Sequence, residues 1–277
     1  MNTKVNHNNL SPIGGNPGRE RGPIITVQNL VKKFGSFTAN DNLTFDVYRG
    51  EIFGFLGANG AGKTTALRIL CGLSAPTSGE VKVAGFDIYR ETEKIKRNIG
   101  YMSQKFSLYE DLTVTENIQF YAGIYGISPK KRKAKMAELL KKLELENAKN
   151  KLIAGLPLGW KQKLAFSVAV FHEPKIVFLD EPTGGVDPIT RRRFWDLIYE
   201  AASNGITVFV TTHYMDEAEY CDRVSIMDAG KIEALDTPAK LKEKYNSKNM
   251  DEVFIQIARK EASPNLSEGR DLEISNE

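Results

Sequence analysis

The sequence predicts an α/β protein built on a mainly parallel core sheet. Three observations predict it. Short apolar, strand-like segments alternate with segments of helical period, as parallel crossover units require. A glycine-rich turn, "GANGAGKTT", stands between the apolar "IFGFL" and one of the helical segments. The apolar "KIVFLD" runs straight into an acidic pair, Asp180 and Glu181, where the strand ends of an open parallel sheet face ligands.

Taken in order, residues 1–22 are rich in Asn, Gly and Pro, carry few large apolar groups, and read as a disordered tail. Structure begins at "PIITVQNLV", where β-branched residues cluster. Two short strands follow, "LTFDVY" (43–48) and "IFGFLG" (52–57), across a hairpin-like break at Arg49-Gly50-Glu51. The period then changes: "KTTALRILCGL" sets Leu67, Leu70 and Cys71 on one helical face and stops at Gly72. After the strand-like "EVKVAG", residues 91–156 are mostly helical and read as an insertion into the sheet, with "NIGYMSQ" a strand ending at Gln104. Within the insertion, Thr113 or Thr115 caps "TVTENIQFYAGIYG", and Ser128 with Pro129 opens "SPKKRKAKMAELLKKLEL". Beyond it come a helix near 160–171, the strand "KIVFLD", a helix over 188–201 and the strand "ITVFVTT". A helix over 215–221 and the strands "RVSIM" and "KIEAL" complete the alternation. A last helix past Thr237 leads to "DEVFIQIARKEAS" and a polar, acidic tail. The expected division is a tail (1–22), a main domain (23–237) with the helical insertion at about 91–156, and a helix/strand extension with a polar tail (238–277).

Bulk properties narrow the classes. A chain of 277 residues buries a sizeable core. Its net charge of +3 is too small to argue for nucleic acid. No apolar run approaches the length of a membrane-spanning helix, and the N-terminus has no secretory pattern. Two cysteines, Cys71 and Cys221, lie far apart without metal spacing, so a reduced, cytosolic setting and a soluble chain are expected.

"GANGAGKTT" has the spacing of a phosphate-binding loop, formed by Gly57, Ala58, Asn59, Gly60, Ala61, Gly62, Lys63, Thr64 and Thr65. Gly57, Gly60 and Gly62 let the backbone turn its N–H groups inward on an anion. Lys63 supplies a compact charge for the β- and γ-phosphates, Thr64 a hydroxyl for Mg²⁺, and the following helix its positive end. Asp180 is placed to hold Mg²⁺ through water. Glu181, pointing otherwise, can orient and deprotonate an attacking water. His213, past the strand "ITVFVT", can polarise the γ-phosphate or the water, and Gln104 is a Mg²⁺ and water contact. His7 belongs to the tail and His172 to a helix-end surface. Trp160 and Trp195 read as packing residues, and "PKKRKAKM" as a solvated helix face rather than a nucleic-acid segment.

Taken together, these residues resemble the ATP-binding cassette (ABC) family, specifically the ATPase subunit of a transporter, over about residues 24–236. The resemblance implies an ABC ATPase fold with a small antiparallel β subdomain and an inserted helical subdomain. It also implies ATP and Mg²⁺ as cofactors. "KKFG" looks like the aromatic loop, with Phe34 stacking on adenine. Gln104 matches the Q-loop glutamine near the membrane subunit, Asp180 and Glu181 the magnesium aspartate and catalytic glutamate, and His213 the switch histidine. Asp187 matches the aspartate of the loop that crosses the dimer.

One segment departs from the family pattern. Where the family usually reads Leu-Ser-Gly-Gly, the turn that closes on the partner subunit's γ-phosphate, this chain has Leu156-Pro157-Leu158-Gly159 and then Trp160. Pro157 lacks both the serine hydroxyl and an N–H, and Leu158 adds a side chain where backbone must approach an anion. Gly159 and the helix start near Trp160 remain, and Glu181 is intact. The resemblance, closest in the Gly-Val-Asp-Pro loop, the "DEVFIQIARK" tail and "LPLGWKQ" to the drug-exporter branch, implies a working but modified ATPase. It would dimerise head to tail with itself or a second ATP-binding subunit. It would also power export through a separate transmembrane permease, as a peripheral protein on the cytoplasmic membrane face. Two other readings stand beside it: a soluble single-cassette ATPase of cofactor assembly, and a nucleotide-dependent regulator without turnover.

Overall fold

The computed structural model describes residues 22–262 apart from Phe106; the expected N-terminal tail, but for Gly22, and the C-terminal tail from 263 lie outside the described residues. Two sheets and a helical layer make up the fold. The larger sheet has six strands in the order β10-β9-β3-β8-β7-β6. These are β3 (Ile52–Gly57), β6 (Ile99–Met102), β7 (Ile176–Asp180), β8 (Thr207–Thr212), β9 (Arg223–Asp228) and β10 (Lys231–Asp236). All its pairs are parallel except β9 with β10. The smaller sheet is antiparallel, in the order β2-β1-β4-β5, from β1 (Pro23–Phe34), β2 (Phe37–Tyr48), β4 (Ser78–Val83) and β5 (Phe86–Asp87).

The pairing corrects the hairpin expected at 43–57. β2 pairs with β1 in the small sheet, whereas β3 lies between β8 and β9 in the large one. Burial explains the separation. Every residue of β3 is buried, as a central strand covered on both faces must be, while β2 alternates. Glu51 fastens the crossing: its carboxylate accepts from Tyr48 N at 2.7 Å and pairs with Arg223 at 3.2 Å.

Helix α1 (Lys63–Leu70) packs under β3. Phe45, Phe53, Phe55, Phe178 and Phe209 form a ring cluster between the two sheets. α2 (Thr92–Asn98) leads into β6, so the 91–156 stretch contributes an edge strand to the core sheet before its helical part begins. That part holds α3 (Val114–Ile124) and α4 (Pro129–Lys142). Thr113, not Thr115, caps α3 in a reciprocal capping box with Glu116. Ser128 caps α4 without a side-chain bond.

α5 (Leu158–Ala169) joins the layers: Leu164 and Val168 pack into the helical cluster, while Ala165, Phe166 and Ala169 pack against the core sheet. α6 (Pro188–Ser203) buries Phe194 and Trp195 on that same face. The helix expected over 215–221 is a short 3-10 turn, Met215–Tyr220. Two helices, α7 (Pro238–Lys244) and α8 (Met250–Ala262), replace the helix and strand expected past Thr237. No helix among the described residues is long and apolar enough to cross a membrane.

Two side chains sit differently from expectation. Trp195 is fully buried, but Trp160 is 37% exposed at the start of α5. His172 is a packing residue rather than surface: it stacks on Tyr125 at 3.6 Å and its Nε2 donates to the Ile99 carbonyl at 3.0 Å. Burial pushes its pKa down to about 4.

Candidate nucleotide-binding site

The loop from Gly57 to Gly62 is shaped by close backbone approach. Gly57 and Gly62 both have left-handed φ, and a side chain would overlap the Met227 carbonyl at the first and the Ala39 carbonyl at the second. Gly62 is the N-cap of α1, so the helix opens directly on the loop. Lys63 folds back and donates to the carbonyls of Gly57 at 2.9 Å and Ala58 at 3.0 Å. Burial pushes its pKa down, opposed by Glu181. Those carbonyls are replaceable partners, so the ammonium is stored where a phosphate can claim it.

β7 and β8 deliver the acidic pair. The Thr64 hydroxyl donates to Asp180 Oδ1 at 3.1 Å and the Thr211 hydroxyl to the same atom at 2.9 Å. Asp180 is buried, which raises its pKa; the two hydroxyl bonds oppose the rise. A buried carboxylate beside a hydroxyl is a hard oxygen donor set in need of positive charge, which fits Mg²⁺. Among the described residues no cluster of three His, Cys, Asp or Glu forms a protein cage. A metal here would therefore share its ligands with phosphate and water.

Glu181 turns away from Asp180 because its backbone enters the left-handed region, φ 47°. Its N–H donates to the Thr211 carbonyl at 3.1 Å. Its carboxylate then meets three partners from three elements: Lys63 Nζ at 3.6 Å, Gln104 Nε2 at 3.2 Å and His213 Nδ1 at 3.1 Å. These groups, with Asn59, Gly60, Gly62, Thr64 and Thr65, line a cleft of about 580 Å³. A carboxylate held beside an ammonium, an amide and an imidazole can orient a water and take its proton.

The aromatic wall differs from expectation. Phe34 does not line this cleft; its exposed ring lies 4.8 Å from Lys32 Nζ. Phe37, its cross-strand partner, does line it and is 62% exposed. Sequence reasoning missed Phe37, although an aromatic on each side of Gly35-Ser36 was the available signal.

Pro157, Leu158, Gly159 and Trp160 share no lining with that cleft. They form a second one of about 400 Å³ with Gly185, Val186, Asp187, Lys163, Thr190 and Arg193. Asp187 caps α6, accepting from Ile189 N and Thr190 N, each at 3.0 Å. Gly159 lies against Thr190, where an added carbon would press on the methyl at 2.9 Å. The two cations, Lys163 and Arg193, were not singled out from sequence.

With this geometry in hand, residues 40–184 match the family described as ABC transporter. The chain belongs to the ABC transporter family. As a member, it is 45% identical over 253 residues to the "Probable multidrug ABC transporter ATP-binding protein YbhF" of Escherichia coli (strain K12), covering 90% of this chain and 43% of that one. It thus spans less than half of that relative. It is 37% identical over 220 residues to the "Linearmycin resistance ATP-binding protein LnrL" of Bacillus subtilis (strain 168), covering 79% of this chain and 70% of that one. Solved ABC structures share most of the fold. One, an "ATP binding subunit of ABC transporter", gives a TM-score of 0.77 at 28% identity over 85% of this chain and 99% of the other. Another, a dimeric post-hydrolysis cassette bound to ADP and Pi, gives 0.70 at 29% identity over 77% and 98%.

Proposed function

We propose that this chain is the ATP-hydrolysing subunit of an exporter whose transmembrane part is a separate polypeptide. The observation that carries the reading is the Glu181 carboxylate, gathered with Gln104, His213 and Lys63 at one cleft beside the phosphate loop. ATP enters with its phosphates on the amides of Gly57–Thr65 and its base against the aromatic edge. Lys63 leaves its two carbonyls for the β- and γ-phosphates. Thr64 and Asp180, with Gln104, hold Mg²⁺, which when bound neutralises developing phosphate charge. Glu181 orients a water in line with the γ-phosphate and accepts its proton as the nucleophile forms. His213 steadies that carboxylate and polarises the γ-phosphate.

The second cleft supports a head-to-tail dimer. The Pro157–Trp160 turn lines none of this chain's own nucleotide cleft, but it can cover the nucleotide of a second copy or of another ATP-binding subunit. Without a serine hydroxyl, that cover rests on Gly159 and the α5 N-terminus, with Asp187 beside it. For the membrane partner, Tyr109 and Phe120 offer an exposed aromatic pair at 4.7 Å in the segment after Gln104, with Ile124, one turn past Phe120 on α3, also exposed. The export direction and drug-like cargo are supported by relatives named for multidrug transport and linearmycin resistance. A peripheral place on the cytoplasmic membrane face follows from docking on such a partner.

The test is the solution mass of Glu181→Gln with and without MgATP, paired with phosphate release by the wild type. An ATP-dependent dimer with wild-type turnover supports the motor. ATP binding without turnover, even with a membrane partner, would favour a nucleotide-dependent regulator, the reading that Pro157 and Leu158 motivate.

A further inference from the structure

Gln162 lies one turn into α5 from Leu158, on the helix that carries the Pro157–Trp160 turn. Its side chain is fully buried. Its Nε2 donates to the Pro182 carbonyl at 2.5 Å, and its Oε1 has no hydrogen-bond partner among the described residues. Its amide N–H satisfies the buried Pro182 carbonyl, which has no other donor among the described residues, and an apolar side chain would strand that acceptor. The bond is kept at the expense of an unpaired Oε1, which marks it as a specific tie to the backbone after Glu181. Pro182 follows Glu181, and the next residue is held from the other side: the buried Thr183 hydroxyl donates to Glu217 Oε1 at 2.6 Å. Glu217 is also fully buried, in the 3-10 turn that follows His213. The backbone immediately after Glu181 is thus gripped by two buried polar side chains, one from α5 and one from the His213 segment.

We infer that Gln162 is a positioning residue that ties the Pro157–Trp160 turn to Glu181 within one chain. When that turn closes on a nucleotide held by the partner subunit, α5 shifts and carries the Pro182 carbonyl with it. Glu181, already in the left-handed region, has few alternative backbone states and follows as a unit. Occupancy of the partner's cleft thereby sets the aim of this chain's own glutamate, and the two clefts fire cooperatively. This inference rests on the head-to-tail ATPase reading above.

The test is Gln162→Met, which keeps the length and helix propensity and removes the donor. Phosphate release is followed against ATP concentration. The ATP-dependent mass is measured separately for Glu181→Gln with and without Gln162→Met. The expected result is a kcat about tenfold lower, the loss of one hydrogen bond in the transition state, with KM within about twofold. The Hill coefficient for ATP falls from above 1 to 1, while the ATP-dependent dimer persists. Gln162→His, which retains an N–H donor, recovers the Hill coefficient and serves as the folded variant if the methionine does not fold. A kcat and Hill coefficient matching wild type would overturn the inference. So would a dimer lost in step with kcat and thermal midpoint, the mark of a purely structural side chain. A wild type that hydrolyses with a Hill coefficient of 1 also sinks the coupling while leaving the ATPase reading intact. A wild type without turnover removes that reading itself.

Discussion

His213 Nδ1 stands 3.1 Å from Glu181 Oε2, although the two residues follow the ends of different strands. Parallel pairing of β7 with β8 makes this meeting possible, since Asp180 lies opposite Thr211 and both strands finish at the same edge. The contact places the imidazole where it can hold the carboxylate in one rotamer as a water is deprotonated. His213→Ala should therefore lower kcat by about 10²-fold, within the range for a group acting on proton transfer. KM for ATP should change little, because Lys63 and the loop amides remain. Steady-state phosphate release checks both.

The turn at the start of α5 makes the opposite prediction, a gain. Pro157→Ser with Leu158→Gly returns a hydroxyl and removes a side chain that is 44% exposed in the second cleft. A hydrogen bond to phosphate is worth about 1.5–3 kcal/mol. In the Glu181→Gln background, the ATP concentration needed for half dimerisation should fall about tenfold. Light scattering against ATP concentration measures it, and an unchanged midpoint would show that the native turn already closes fully.

Phe37 and Phe34 make a discriminating pair. Base stacking on an aromatic ring is worth about 1–3 kcal/mol. If the cleft lining decides which ring meets adenine, Phe37→Ala weakens ATP binding about tenfold and Phe34→Ala much less. The reverse order would return the stacking role to Phe34, the ring expected from sequence. Fluorescence titration with a labelled ATP analogue separates them.

Glu51 makes a pH-dependent contribution to stability. Burial raises its pKa to about 7, against the opposing pull of Arg223. The folded state then holds this proton more tightly than the unfolded chain does, so stability falls as pH rises from about 4.5 to about 7. Asp222 and Asp180, also raised by burial, contribute the same sign as pH rises above the ordinary aspartate value. Glu51→Gln should flatten the slope in urea denaturation between those pH values. Arg223→Met should instead cost about 3 kcal/mol at pH 8, because it leaves the carboxylate buried and unpaired.

The phosphate loop was legible because its motif is local: its glycines, Lys63 and Thr64 follow one another within nine residues, although the carbonyls that forbid a side chain at Gly57 and Gly62 belong to Met227 and Ala39. Asp180 and Glu181 were legible because an apolar run into an acidic pair has few other uses in a parallel sheet. Pairing was not local, and there sequence reasoning failed. Nothing within "LTFDVYRGEIFGFLG" says that its halves belong to different sheets; the partners of β3 lie past residue 206. Phe37 and Phe34 are equivalent by type and differ only in which way the hairpin presents them. Gln162 was overlooked because a glutamine on a helix reads as solvent-facing until the neighbouring turn is in place. His172 was misjudged for the same reason, since its cover comes from Tyr125 and Ile99.

The position of β3 also bears on how the chain comes to life on the ribosome. The strand is wholly apolar and central, yet its neighbours are made much later, β8 from Thr207 and β9 from Arg223. At roughly 5–20 residues per second, it waits about 8–30 s before any partner emerges. β1 and β2 can pair meanwhile, but β3 stays without either neighbour until β8 is made. A chain halted between Thr65 and β8 therefore carries the whole "GANGAGKTT" motif and still lacks Thr211 and His213, the partners of the acidic pair.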